Sequence, residues 1–247
     1  MTVLRVTDGQ VSVEDSAVSR QQVTGSELRD AYLQGIQALT RGLVSVRGSS
    51  LYLGPVELLR FGQAEIDRNA VEWPIDGGLM ARAPGGLLRI ESSGGRLVAS
   101  VKGYRPLIPL PLYAVTQLPI HHALMRLLLL RVRGREPIQG VAASSRDRRR
   151  AAAVDAALCI TLASIFGRRP RPRMLLGIAA AYHMACWSLS GRTLGGLVVG
   201  QRVIAVDGSR PTVGQAIVRL LTMPLGWFRG PIHDELAGTE VIVDVAR

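Results

Sequence analysis

The chain has 247 residues, enough for two modest domains or one large one. Apolar residues make up 47% of it and the mean hydropathy is +0.21, more apolar than a soluble enzyme needs, so a chain that is part soluble and part membrane fits better. The net charge of +11 would point to nucleic acid only if it lay on a recognisable binding module; none is present, Lys102 is the sole lysine, and no nucleic-acid partner is expected.

The first residues, Met1 to Asp8, contain an early acid and no apolar core of signal-peptide length, so no cleaved targeting segment is read and the N-terminal part is expected in the cytoplasm. Thr24-Gly25-Ser26 is turn chemistry. After it Leu28, Tyr32, Ile36 and Leu39 recur at helical spacing, which predicts an amphipathic helix over residues 26–39. From Leu43 to about Ser100, short β-forming runs alternate with Gly and Pro: residues 44–46, 50–53, 61–66, 87–91 and 96–101. The last two are joined by Ser92-Ser93-Gly94-Gly95, a hairpin signal, so a meandering antiparallel sheet follows.

Residues 112–133 read as a helix that is apolar on most faces. Gln117, Pro119, His121, His122 and Arg126 interrupt it, which favours a helix packed over the sheet rather than a lipid-exposed span. By its order of elements, a sheet gripping a long helix resembles the helix-grip folds of polyketide cyclases and lipid-transfer-like domains. That resemblance implies a small apolar ligand in the N-terminal domain.

Composition changes near Gly134, and three parts are expected: residues 1–133 as a soluble α+β domain, 134–147 as a polar linker and 148–247 as a membrane domain. Residues 151–166 and 174–189 are apolar stretches a little shorter than the roughly 20 residues that cross a bilayer. Flanking arginines extend such stretches by snorkelling. Residues 167–173 hold two prolines and predict the turn of a helical hairpin. A third apolar segment, 213–228, contains Arg219 and Pro224 and reads as a short span or as a helix in the membrane interface. Both cysteines, Cys159 and Cys186, fall in the first two segments without zinc or disulfide spacing and read as small buried hydrophobes.

Asp155 sits inside the first apolar stretch. A carboxylate at a bilayer centre costs from about 2.5 kcal/mol, so it has to be paired, wet or functional. Arg148 precedes it by two helical turns on the same face, with Ala151 between them; small residues there admit a neighbouring helix closely. The run Gly191 to Gly208 ends in a β-like stretch and an Asp-Gly turn. Gly195 to Gly200 has the spacing of a Walker loop, but Gln201-Arg202 stand where Lys and Ser/Thr are required and no core strand precedes it, so a nucleotide site is rejected.

These pieces together resemble the RDD family of bacterial integral membrane proteins, over roughly residues 146–243. Arg148 and Asp155 match the arginine and aspartate of its first helix. Gly191, Thr193, Gly195 and Gly200 match its G-x-T-x-G-K-x-x-x-G segment, and His233, Asp234, Ala237, Gly238 and Thr239 its closing H-D-x-x-A-G-T. Gly196 departs from the pattern, standing where the family has lysine; Arg202 or Arg192 would have to supply a cation there.

The β-forming runs and helices of the first part, taken with this resemblance for the second, predict an α+β protein. Its N-terminal antiparallel sheet with packed helices is followed by a small α-helical membrane domain of two or three spans, multi-pass in the cell membrane. Arg148, Asp155, His183 and Asp234 would form a polar cluster in that domain, which either holds the helices together or passes an ion, proton or small solute. His183 would bond Asp155 or a backbone carbonyl across the hairpin. The alternative is a membrane-tethered cytoplasmic module that binds an apolar ligand or a protein partner. Expected partners are the lipid bilayer, that ligand and a second copy in a homo-oligomer. No catalytic residue, metal or cofactor is expected, since His121, His122, His183 and His233 sit in no nucleophile or metal motif.

Overall fold

The computed structural model describes residues 3–134, 136–165, 171–225 and 232–243, and the chain separates into two units, Met1–Arg135 and Glu136–Arg247. Residue 166 of the first apolar stretch, residues 167–170 of the expected hairpin turn and the end of the segment 213–228 lie outside the described residues.

The first unit is a nine-stranded antiparallel sheet with helices, as the alternating runs require. Its strands are β1 (Val3–Thr7), β2 (Gln10–Val18), β3 (Val44–Arg47), β4 (Ser50–Leu53), β5 (Val56–Phe61), β6 (Glu65–Ile66), β7 (Ala70–Gly77), β8 (Gly86–Ser93) and β9 (Arg96–Tyr104). Their order is β1-β2-β9-β8-β7-β5-β4-β3, with β6 beside β7. The run expected at 61–66 is divided between β5 and β6, and β7 is a central strand that contains Pro74. Pro74 lacks an N–H, and its carbonyl accepts from Gly62 at 2.8 Å. It therefore faces the gap between the β5 and β6 pairings, where no ladder donor is needed.

Helix α1 (Gly25–Leu39) starts in a capping box, in which Thr24 and Glu27 satisfy each other's backbone N–H groups. It buries Leu28, Tyr32 and Ile36, and Tyr32 packs on Phe61 and Trp73. Each such side chain stabilises the core by about 1.5–3 kcal/mol. The long apolar run is two helices, α2 (Leu110–Val115) and α3 (Gln117–Arg133), parted at Thr116. Leu128 and Leu129 of α3 are fully buried, and α3 packs on α1, β2 and β9, so the sheet does carry the long helix. A buried carboxylate, Asp15, links β2 to α3 through His122 Nδ1 at 2.6 Å and Arg126 Nε at 3.4 Å. Burial lowers the pKa of neighbouring His121 to about 4, against the pull of Asp15, so it is neutral at pH 7.

The second unit is not purely helical. Its helices are α4 (Ser145–Ile165), α5 (Pro172–Leu189), α6 (Leu194–Val198), α7 (Val213–Thr222) and α8 (Ile232–Ala237). They accompany a three-stranded antiparallel sheet of β10 (Val141–Ala142), β12 (Thr239–Val243) and β11 (Gln201–Ala205), in that order. The β-like stretch before the Asp-Gly turn is β11, and β10 arises within the segment expected as a linker. Ala143, Trp187, Val203, Ala216 and Val241 form the core.

Helix α4 buries one stripe only, Ala151, Asp155, Cys159 and Ala163, each four residues after the last. Among the described residues no helix is long and apolar enough to cross a membrane. The apolar part of α4 is preceded by Arg148 to Arg150 and interrupted by Asp155, and that of α5 is interrupted by His183.

A buried arginine–aspartate site and its cavity

The four residues expected to cluster fall at two separate carboxylates, Asp155 and Asp234, each with its own partners. Asp155, 4% exposed, is held by neutral donors: Tyr182 Oη donates to its Oδ1 at 2.7 Å, and the Gly195 N–H donates to the same oxygen at 2.8 Å. Tyr182 Oη in turn accepts from the Leu194 N–H at 2.8 Å. Asp155 thereby clamps the Gly191–Gly196 loop onto the hairpin of α4 and α5. His183 is not its hydrogen-bond partner: Nδ1 lies 2.8 Å from Ala179 O of its own helix, and Nε2 stands 3.9 Å from Asp155 Oδ2. The carbonyl contact expected across the hairpin is therefore made within α5.

Tyr182→Phe removes both the donor to Asp155 and the acceptor for Leu194 N–H. We expect a loss of about 1–3 kcal/mol in urea denaturation of the C-terminal unit, because a buried carboxylate is left with one fewer donor. A loss of only a few tenths would show that water replaces the hydroxyl.

Asp234 is the second centre. Arg148 Nη1 donates to its Oδ2, Arg219 Nη1 to its Oδ1, and His233 Nε2 lies 3.4 Å away. Arg219 also donates to Thr239 Oγ1 at 2.9 Å, and its guanidinium stacks over Trp187 with Cζ 4.8 Å from the ring centroid. Burial alone would raise the pKa of Asp234, but Arg219, Arg148 and His233 outweigh it and hold the carboxyl below its ordinary value. Burial lowers His233 against the pull of Asp234, and the two arginines add to that lowering, so His233 is neutral at pH 7.

The closing motif builds this centre. His233 and Asp234 stand on α8, Ala237 is fully buried, Gly238 turns the chain with φ 64°, and Thr239 begins β12. Gly238 O accepts from Val206 N at 3.0 Å and from Gln215 Nε2 at 3.1 Å, which ties α7 and β11 to the corner. In the first motif, Thr193 caps α6 by accepting from Gly196 N at 2.9 Å, and Gly200 leads into β11. Gly191 needs its glycine: φ is 74°, and a Cβ would lie 2.7 Å from Val203 O. At Gly196 a Cβ would lie 2.9 Å from Gln201 O, so the side chain that the family pattern places here meets backbone.

Between the two centres lies a cavity of about 710 Å³. Arg148, Asp155, His183, Gly191, Thr193 and His233 line it, as do Arg149, Gln201, Arg202, Trp187 and Arg219, which were not singled out as site residues. Of the two arginines expected near Gly196, Arg202 lines the cavity and Arg192 does not. Arg148 and Asp155 share the helix but have separate partners, Asp234 on α8 for Arg148, and Tyr182 on α5 and Gly195 on α6 for Asp155. Arg219 could have been found by the reasoning that located Asp155, because it is a charge in an apolar run between Val218 and Leu220. Tyr182 has no such signal.

These features define a two-unit α+β protein whose C-terminal unit is organised about buried Arg/Asp contacts. The model of the RDD family matches residues 173–238 of that unit. Asp234, His183, His233 and the motif residues from Gly191 to Gly238 fall inside the match. Arg148 and Asp155 precede it, and Thr239 follows it directly. No curated protein and no solved structure matches the chain.

Proposed function

We propose that the C-terminal unit is a membrane-embedded RDD-type module in which the charged cavity admits an ion or small solute. The observation that carries this reading is the placement of the cavity: it is lined by Arg148, Asp155 and Arg219 at the open end of an apolar helical hairpin. Ile160 and Ile165 on α4 and Leu176 and Leu189 on α5 are half or more exposed, and large apolar side chains left open on both helices fit a membrane contact.

Residues 151–165 extend about 22 Å as a helix, less than the roughly 30 Å of bilayer hydrocarbon. The hairpin therefore enters a locally thinned bilayer, with its arginines reaching back to the interface and the cavity at the water boundary. A packing role for the ion pairs alone explains their burial but not an adjoining cavity of this size.

The test is Asp155→Asn in vesicles reconstituted with the full chain. Asparagine keeps the acceptor for Tyr182 and Gly195 but removes the charge from the wall. Proton or Na⁺ flux is expected to fall about tenfold or more, as for loss of a functional intramembrane carboxylate. Unchanged flux with unchanged folding would remove the transport reading.

A further inference from the structure

From Pro106 to Met125 the chain contains no Asp, Glu, Lys or Arg, a composition that suits a buried core. The fold leaves much of it open instead. Val115 is 73% and Ile120 61% exposed, Leu107 and Leu112 are about half exposed, and Pro111 and Pro119 stand at the surface with them. Leu112 and Val115 are three residues apart on one face of α2. Leu79, also about half exposed, belongs to a loop tied to this stretch, because Leu107 N donates to Met80 O at 3.0 Å and Ala81 bridges to Pro106.

The stretch is anchored from within. Tyr104 and Tyr113 pack with ring centroids 6.1 Å apart, and Tyr104 Oη donates to Met80 O at 2.6 Å, which joins the loop, the end of β9 and α2. Its backbone asks little of water. Pro106, Pro109, Pro111 and Pro119 have no N–H, Tyr113 N donates to Pro109 O at 2.9 Å, and Leu112 O accepts from Thr116 N at 3.0 Å and from Thr116 Oγ1 at 2.6 Å. Hydrocarbon admits backbone only where its polar groups are met internally, so these contacts lower the cost of entering lipid. A protein interface carries about one hydrogen bond per 100–200 Å², and a stretch with no charge and its polar groups spent in this way suits lipid better.

Basic side chains border it. Lys102 and Arg105 precede the stretch, and Arg82 N donates to Arg105 O at 2.8 Å. All three are exposed, and among the described residues their side chains make no hydrogen bond or ion pair. Glu57, whose carbonyl accepts from Leu79 N, is answered by Tyr52 Oη at 3.1 Å and Arg60 Nη1 at 3.7 Å, and Asp76 turns its carboxylate toward Gly62.

We infer that the N-terminal unit docks on an anionic bilayer surface, with Leu79 and the residues around α2 entering the headgroup boundary and Arg82, Lys102 and Arg105 meeting lipid phosphates. Apolar segments of this kind lie about 5–10 Å deep, and cations beside them add to the hold of an anionic surface. Helix α2 has six residues and the chain breaks at Thr116 before α3, so the segment enters without spanning. The contact belongs to the first unit and is independent of how the C-terminal unit handles solute.

A benzophenone side chain placed at Val115 of the full chain tests it, in vesicles of phosphatidylcholine and phosphatidylglycerol in equal parts, with the same group at Leu43 as control. Leu43 is 70% exposed on the same unit, so the two positions meet water alike if nothing docks. On irradiation Val115 is expected to yield a phospholipid adduct about tenfold more often than Leu43. Each cation near an anionic surface strengthens attachment about fivefold, so Arg82→Gln, Lys102→Gln and Arg105→Gln together should lower the Val115 adduct by about tenfold or more, as should vesicles of phosphatidylcholine alone. These charges are exposed and unpaired, so the fold does not depend on them. The inference is overturned if Val115 labels lipid no better than Leu43, if either the triple variant or the neutral vesicles leave its yield unchanged, or if Val115 crosslinks to a second copy of the chain instead of lipid. Loss of flux in Asp155→Asn with Val115 still labelling lipid leaves both readings standing, and either can fail without the other.

Discussion

Replacing Asp234 with alanine is expected to destabilise the C-terminal unit by about 3–5 kcal/mol, the usual cost of breaking a buried ion pair from one side. Arg219 is 5% exposed, so without Asp234 its charge stays in the interior with Thr239 Oγ1 and the Trp187 ring as its remaining contacts. Arg148 is part-exposed and can turn to water, so it contributes less to the loss. Because domains of this size are stable by only about 5–15 kcal/mol, the variant should melt at or near growth temperature. Hydrogen exchange over β11 and β12 would show it, as those strands lose protection while the first unit keeps its own.

The double variant Asp234→Ala, Arg219→Met should recover more than half of that loss, since the cost lies in the stranded charge rather than in the absent attraction. Additive losses in the two single variants would contradict this. The pH dependence carries the same sign information. The folded pKa of Asp234 lies below its ordinary value of 3.8, so the pair's stabilisation is complete above pH 3.8 and is lost as pH falls through the lowered folded value. Acid unfolding of the C-terminal unit should therefore be delayed to below about pH 4.

How much of this was legible in the sequence follows from which signals are local. Asp155 stood out because a carboxylate in an apolar run has to be explained, and the structure places three residues around it. The same logic applied to Arg219, yet an arginine is easily taken for a helix-surface residue. Only the fold shows that α7 turns it inward, onto Asp234 and Trp187. Tyr182 and His183 are neighbours in sequence, and the hydroxyl, not the imidazole, reaches Asp155, because helical phase decides the matter and one residue is about 100° of rotation.

In the first unit helix α1 and the hairpin between β8 and β9 were readable. Strand β7 was not, because its Pro74 is tolerated only where the neighbouring ladder is interrupted, a fact of tertiary pairing. The three-stranded sheet of the second unit escaped for a related reason. Its strands come from segments about 60 and 40 residues apart, and two-residue β10 has no pattern of its own.

Gly195→Ala is the other substitution expected to have a large effect, and it separates packing from charge. A Cβ at Gly195 would lie 2.1 Å from Ala151 O, 2.7 Å from its carbonyl carbon and 2.9 Å from its Cα. All three atoms are helix backbone, so no side chain can swing aside and α4 must move away from α6. Overpacking of this kind costs about 1–3 kcal/mol, and the shift also lengthens the Gly195 N–H bond to Asp155, so a total of about 3 kcal/mol or more is expected. Gly177→Ala in α5 is the control: nothing lies within 4 Å of its Cβ position, and alanine at a helix interior should stabilise by up to about 1 kcal/mol. Opposite signs in urea denaturation of the two variants would tie the motif glycine to close helix approach. Because Gly195 also holds Asp155 in the cavity wall, its variant should lose flux even under conditions where the unit remains folded. If flux persisted with the loop displaced, the position of Asp155 would not matter to the cavity, and the glycine would be there for packing alone.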